Sequence, residues 1–402
     1  MRVCVLTSSY PLKPGDMAGW FVRQQCQAMA EGEGVEVIVL APGHPDAPAC
    51  ERDGRVEVRR LTYFRPKRLQ QLAYGAGIMS NLRSRPVAWL NLVPFLLSLA
   101  GGAVRYGRRA NLIHAHWGPI GALAVLMRRF HRRPVVLSVR GSDITGSSRL
   151  IRRITAWATG HADAVTANTP VSRRKAARHV RDKDLCRYVP NGVFLPDKQE
   201  LETARAERTD GEFRLVSVGR LVPERRYDLL VAAIGRVRRT NPEVRLTIVG
   251  DGPEREALES LVAEHGLGER VTFTGQLPRE EVGKHLARAD TYVSTTERDN
   301  FANAVMEAGA YRLPVVATRV GFPAEAVLDG QTGFLVAQGD EDGLVQALTT
   351  LAQDPKRRVE FGRRMRDRIE QLGLTWAKCA ARTVELYRAV LAKFATEDFR
   401  RE

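Results

Sequence analysis

The 402-residue chain has little cysteine, and none of it is spaced to build a scaffold. Cys4, Cys26, Cys50, Cys186 and Cys379 are scattered, odd in number and without a C-x-x-C pair, which argues against a disulfide framework or a zinc site and fits a reducing cytosol. No low-complexity tract occurs, so long disordered segments are not expected. The N-terminus runs through a short apolar stretch, 3–6, into Ser, Pro and Gly, without the longer apolar core and small-residue cleavage site of a secretion signal. No helix-turn-helix or aromatic motif accompanies the basic residues, which tells against nucleic-acid binding. Acidic residues are the scarcer charge, 46 Asp and Glu against 62 Lys and Arg, and the resulting formal +16 implies an anionic partner. The uncharged stretch 87–104 reaches the lower edge of a membrane-spanning helix. Asn91, Pro94, Ser98, Gly101 and Gly102 interrupt it and arginines flank both ends, so a core or membrane-interface segment is expected.

What is present is an alternation of short β-branched runs with helical patterns, the mark of βα units around a parallel sheet. Strands are expected at 3–7, 35–40, 56–61, 112–116, 135–139 and 164–167. A second series follows at 214–218, 245–249, 271–274, 291–294, 315–318 and 333–336. The fold class is therefore α/β, with two doubly wound, Rossmann-like domains. The Pro- and Gly-containing polar segment 190–210 reads as the linker, which sets domains at 1–195 and 196–384. A terminal helix, 385–402, is expected to complete the first domain.

Two motifs carry chemistry. "VGRLVPERRYDLL", 218–230, directly follows an expected strand, and its Arg220 and Arg225 are the candidates to stabilise the charge of a departing diphosphate without a metal. "TERDNFANAVMEAGAYRLPVV", 296–316, places Asp299 and Glu307 eight apart, with Asn300, Phe301 and Ala302 leading into a helix start whose backbone amides can hold phosphate or sugar oxygens. An acid one turn further on can accept from ribose hydroxyls. His114 and His116 lie two apart on an expected strand and share a face, but no third ligand stands nearby in sequence and no metal site is assigned.

Together and in this order, these stretches resemble the large retaining GT-B glycosyltransferase family, family four. The resemblance extends through "VGDGPER", "VTFTGQLPREEV", "VGFPAEAVLDGQTGFLV" and "VPNGV", and through "SSYPLKPGDMAGWFVRQQ", "LIHAHWGPIGA" and "LSVRGSDI" in the first half. It implies two domains facing across a cleft, an acceptor-binding first domain and a nucleotide-sugar-binding second one. It also implies a nucleotide-diphosphate sugar donor, a saccharide or lipid-linked acceptor, and neither cofactor nor metal. Carried over by position, Arg220 and Arg225 clamp the diphosphate, Glu307 binds the ribose, Gly19 lets the backbone approach phosphate, and His116 contacts the donor sugar. Asp299 replaces the first glutamate of the family's Glu-x7-Glu pair, with Glu297 two residues earlier; Arg225-Arg226 replaces Lys-Gly; and Arg140 stands where a histidine is common. The implied activity is a hexosyltransferase, and the basic balance with the apolar stretch 87–104 suggests a cytoplasmic enzyme peripheral on an anionic membrane, acting in cell-surface polysaccharide or glycolipid synthesis. A binding module altered at Asp299, or a GT-B epimerase or phosphorylase, stays open as an alternative.

Overall fold

The computed structural model describes residues 1–13, 15–16, 18–75, 77–145, 148–206 and 211–399. It divides into two compact units, Met1–Gly192 with Trp376–Glu402, and Val193–Thr375.

The first unit is built on eight strands: β1 (Arg2–Leu6), β2 (Glu36–Pro42), β3 (Cys50–Asp53), β4 (Val56–Leu61), β5 (Leu112–His116), β6 (Val135–Val139), β7 (Ala164–Ala167) and β8 (Cys186–Tyr188). Their order across the sheet is β3-β4-β2-β1-β5-β6-β7-β8, with every pairing parallel except β3 against β4. Side chains alternate faces along a strand, so Val3, Val5, Val37 and Val39 join one core while Cys4, Leu6, Ile38 and Leu40 join the other. The helices Trp20–Gly32 and Trp376–Phe399 cover the first face; the helix Pro86–Gly107 covers part of the second.

The second unit has six parallel strands, β9 (Phe213–Val218), β10 (Val244–Val249), β11 (Val271–Gly275), β12 (Thr291–Ser294), β13 (Val315–Thr318) and β14 (Gly333–Val336). They run in the order β11-β10-β9-β12-β13-β14.

Two expected boundaries move. The first unit ends at Gly192 rather than 195, because Val193 donates its N–H to Leu374 of the second unit and a Cβ at Gly192 would lie 2.5 Å from Trp376. The terminal helix joins the first unit from Trp376 rather than from 385, since Cys379 and Ala380 are buried and Ala380 shares a core with Val384 and Tyr387. β3 and β8 were not expected; β3 reads Cys-Glu-Arg-Asp, without an apolar alternation, and β8 has three residues.

The stretch 87–104 lies in the helix Pro86–Gly107, which is long and apolar enough to cross a membrane by length and composition. One face, through Ala88, Phe95, Leu99 and Ala103, is core of the first unit. The opposite face exposes Trp89 (59 %), Leu90 (67 %), Val93 (62 %) and Leu97 (68 %). The helix is thus packed on protein along one side and apolar toward solvent along the other.

Candidate functional site

In open α/β sheets, ligands bind beyond the carboxyl ends of the strands, where the strand order reverses. That switch point lies between β9 and β12 in the second unit and between β1 and β5 in the first. The sequence motifs fall at both.

Arg220 and Arg225 lie in the segment after β9, and Thr295–Ala302 follows β12. The two segments are stitched together: Thr295 Oγ1 donates to the carbonyls of Arg225 and Arg226, and Thr296 Oγ1 and the Glu297 N–H donate to the carbonyl of Glu224. Arg225 Nη1 donates to Asp299 Oδ2 at 2.8 Å. The other oxygen, Oδ1, accepts from the N–H groups of Asn300 (2.7 Å) and Ala302 (2.9 Å). Ala302 sits at φ 51° as the N-cap of the helix Asn303–Ala310 and supplies no side-chain cap, so Asp299 performs part of that role from outside. Phe301 is buried and stacks on Phe322, centroids 5.0 Å apart. Arg220 is exposed and has no side-chain partner among the described residues.

Arg226, at the glycine position of the family motif, takes φ 50°, where glycine has no steric cost. Its guanidinium is held by Asp228 and Glu297, at 3.0 and 2.7 Å. Glu297 is thus engaged by the second arginine, as Asp299 is by Arg225.

Glu307 is paired with Arg279 at 2.8 Å. Burial pushes its carboxyl above the ordinary glutamate range, and Arg279 opposes that shift. The sequence did not mark Arg279, which begins the helix Arg279–Arg288 and whose guanidinium lies 5.5 Å from the Phe194 ring; no spacing rule ties a helix-start arginine to an acid 28 residues later.

In the first unit, Gly19 has φ 76°, and a Cβ there would fall 2.3 Å from the Ser9 carbonyl oxygen, so the turn closing the β1 segment onto the helix Trp20–Gly32 admits only glycine. His116, at the end of β5, is buried, with neither ring nitrogen hydrogen-bonded among the described residues. Burial, then the neighbouring His114 and Arg140, hold its pKa well below the ordinary histidine value, so it is neutral. His114 is a core residue, Nδ1 2.5 Å from the Tyr387 hydroxyl and Nε2 2.7 Å from Ser138 Oγ. Among the described residues no group of three His, Cys, Asp or Glu is placed to hold a metal. His116, Trp117, Ser8, Ser9, Phe21 and Arg140 share in lining a cavity of about 560 Å³ within this unit.

Residues 18–192 match the glycosyl transferase 4-like domain, and 198–368 match glycosyl transferases group 1. The chain is 32 % identical over 257 residues to the GDP-mannose-dependent alpha-(1-6)-phosphatidylinositol monomannoside mannosyltransferase of Mycolicibacterium smegmatis, covering 61 % of this chain and 67 % of that one. It belongs to the group 1 glycosyltransferases. A D-inositol 3-phosphate glycosyltransferase of Corynebacterium efficiens is 29 % identical over 73 % of the chain and 75 % of its own. Among solved structures, sucrose-phosphate synthase from Thermosynechococcus elongatus superposes with a TM-score of 0.78 at 23 % identity, covering 98 % of this glycosyltransferase and 99 % of its own chain. Anabaena HepE in complex with UDP follows at 0.73 and 19 %, covering 97 % and 100 %. These likenesses give the glycosyltransferase its GT-B fold of two parallel-sheet units.

Proposed function

We propose that this glycosyltransferase moves a hexose from a nucleotide-diphosphate sugar to a saccharide or lipid-linked acceptor, with retained anomeric configuration and without a metal. The observation that carries the reading is the cationic loop at the second unit's switch point: the Arg220 side chain has no partner among the described residues, and Arg225 is fixed by a carboxylate that also anchors a helix start. Fixed cations stabilise a departing diphosphate as a divalent metal would. The similar mannosyltransferase is named for a GDP-sugar and HepE was solved with UDP, which supports a nucleotide donor and leaves its base open.

In this reading Glu307 accepts from the ribose, Gly19 admits the backbone to phosphate, and neutral His116 offers one donor and one acceptor to sugar hydroxyls. Retention follows if the leaving phosphate takes the acceptor's proton on the face it leaves, which needs no protein nucleophile. The exposed stripe of the helix Pro86–Gly107, with Arg83, Arg85, Arg105, Arg108 and Arg109 near its two ends, would dock the first unit on an anionic, cytoplasmic membrane face.

The test is turnover of UDP-, GDP- and ADP-sugars with candidate acceptors in excess EDTA, the product anomer being read by NMR. An α-linked product from an α-linked donor, formed at an undiminished rate with chelator, is expected. Inversion, or activity restored only by Mg or Mn, overturns the mechanism. Nucleotide binding with no transfer to any acceptor favours the binding-module alternative.

A further inference from the structure

The cavity of about 560 Å³ in the first unit is lined by two arginines, Arg83 and Arg140, and the proposed reaction leaves Arg140 unused. Arg140 lies at the end of β6 and lines the cavity beside His116. Its guanidinium carbon sits 3.5 Å from the centroid of the Phe21 ring, which fixes its plane. Nη1 donates to Asn191 Oδ1 at 2.7 Å, and Nε is closed to solvent with no acceptor among the described residues.

The nearby acid, Asp143, also lines the cavity and its charge raises the Arg140 pKa, but it makes no ion pair with the guanidinium. Asp143 Oδ2 accepts instead from the backbone N–H of Arg140 at 2.9 Å, and no carboxylate lies within ion-pair distance of the guanidinium among the described residues. A half-buried arginine, stacked and short of acceptors, is a costly arrangement unless an anion completes it. The rest of the wall carries groups that can meet a sugar: the hydroxyls of Ser8, Ser9 and Ser80, with the buried His116 ring behind them. Burial has drawn the Arg140 pKa down only to about 10, so the cation persists at neutral pH.

We infer that this cavity takes a sugar bearing a negatively charged substituent, a carboxylate or a phosphate, and that Arg140 is the specificity residue that reads the charge. The inference rests on the glycosyltransferase reading above. The charged sugar can be the transferred one, as in a nucleotide-linked uronic acid, or part of the acceptor. The chemistry at Arg140 is common to both.

The experiment measures dissociation constants by calorimetry for the full chain and for Arg140→Gln, with UDP and GDP alone as the reference. In the donor arm, UDP-glucuronate is compared with UDP-glucose and GDP-mannuronate with GDP-mannose. In the acceptor arm, glucose 6-phosphate and methyl glucuronide are compared with methyl glucoside on the nucleotide-saturated protein. The native chain should favour the charged member of one arm by about tenfold or more, the scale of a hydrogen bond to a charged group. Arg140→Gln should abolish that preference while leaving UDP or GDP affinity and the melting temperature unchanged. The responsive arm identifies the source of the charge. Nucleotide binding without charge preference in either arm, or a preference that survives in Arg140→Gln, overturns the inference. Absence of any nucleotide binding refutes instead the donor reading beneath it.

Discussion

Arg225 and Asp299 form one unit: the guanidinium donates to Oδ2 at 2.8 Å while Oδ1 holds the N–H groups of Asn300 and Ala302 at the start of the helix Asn303–Ala310. A carboxylate shared between a cation and a helix start cannot act on either alone. The two losses should therefore not add. Arg225→Ala is expected to weaken UDP or GDP binding by about ten- to a hundredfold, the effect of losing a charged hydrogen bond of about 1.5–3 kcal/mol. Asp299→Ala should weaken it less, and the double variant should be little worse than Arg225→Ala. Additive losses in a double-mutant cycle would show that the pair does not work as a clamp.

Glu307 and Arg225 should separate when the ligand is cut down. If Glu307 meets the ribose, Glu307→Ala lowers affinity for the nucleoside and the nucleoside diphosphate by similar factors. Arg225→Ala should lower it for the diphosphate alone. Equal effects of both variants on the nucleoside would end this division of roles. Because Glu307 also pairs with Arg279, Glu307→Gln is the companion variant that keeps the side chain's shape.

Gly19→Ala should destabilise the first unit by at least about 1–2 kcal/mol, the cost of a left-handed backbone for a residue with a Cβ. The 2.3 Å approach to the Ser9 carbonyl adds to it. A melting temperature within experimental error of the native chain would mean the turn relaxes freely.

How much of this was legible beforehand depended on whether a residue's partner is local. β12, β13 and β14 were expected at 291–294, 315–318 and 333–336 and occur there, because each is a short β-branched or apolar run ended by a turn or polar residue. β3 was not, since an edge strand only half-buried on one side, where Asp53 bonds Arg23, Gln27 and Tyr10, needs no apolar residues. Asp299 and Glu307 could be found from their spacing, but their guanidinium partners, Arg225 and Arg279, are 74 and 28 residues away in the chain. The role of Arg140 was hidden for a different reason. Comparison with a motif reports only that a histidine is missing, whereas the stacking on Phe21 and the lack of a carboxylate ion pair among the described residues exist only once the chain is folded.

Stability should fall with acid through His114. Burial, with a smaller contribution from Arg140, holds its folded pKa near 3 against the ordinary 6.5. The unfolded chain therefore binds a proton that the folded chain refuses. The stabilisation is complete above about pH 6.5 and is lost as pH falls toward about 3, at up to about 1.4 kcal/mol per pH unit for one histidine. His114→Gln, which cannot titrate, should show a shallower fall in urea-unfolding free energy between about pH 6.5 and 5. An unchanged slope would exclude His114 as a source.

The apolar stripe of the helix Pro86–Gly107 gives the last prediction. Trp89, Leu90, Val93 and Leu97 share a face because they recur at helical spacing, and that face is more than half exposed at each position. Arg83 and Arg85 precede the helix, and Arg105, Arg108 and Arg109 end or follow it. Two attractions with different salt responses result. The arginines act over about 10 Å at 0.1 M salt and are screened as ionic strength rises, whereas apolar burial is not. The glycosyltransferase should float with vesicles containing anionic lipid and remain free of neutral ones at low salt. At about 0.5 M salt, where the screening length is roughly 4 Å, most of it should be released. Replacing Leu90 and Leu97 by serine should lower anionic-vesicle binding at every salt concentration, because each leucine buried in lipid contributes about 1.5–3 kcal/mol at most. The core face, with Phe95 and Leu99, is untouched, so the melting temperature should hold. Equal flotation with neutral and anionic vesicles would remove the electrostatic part, and unchanged flotation of the Leu90→Ser, Leu97→Ser variant would remove the helix itself as the docking surface.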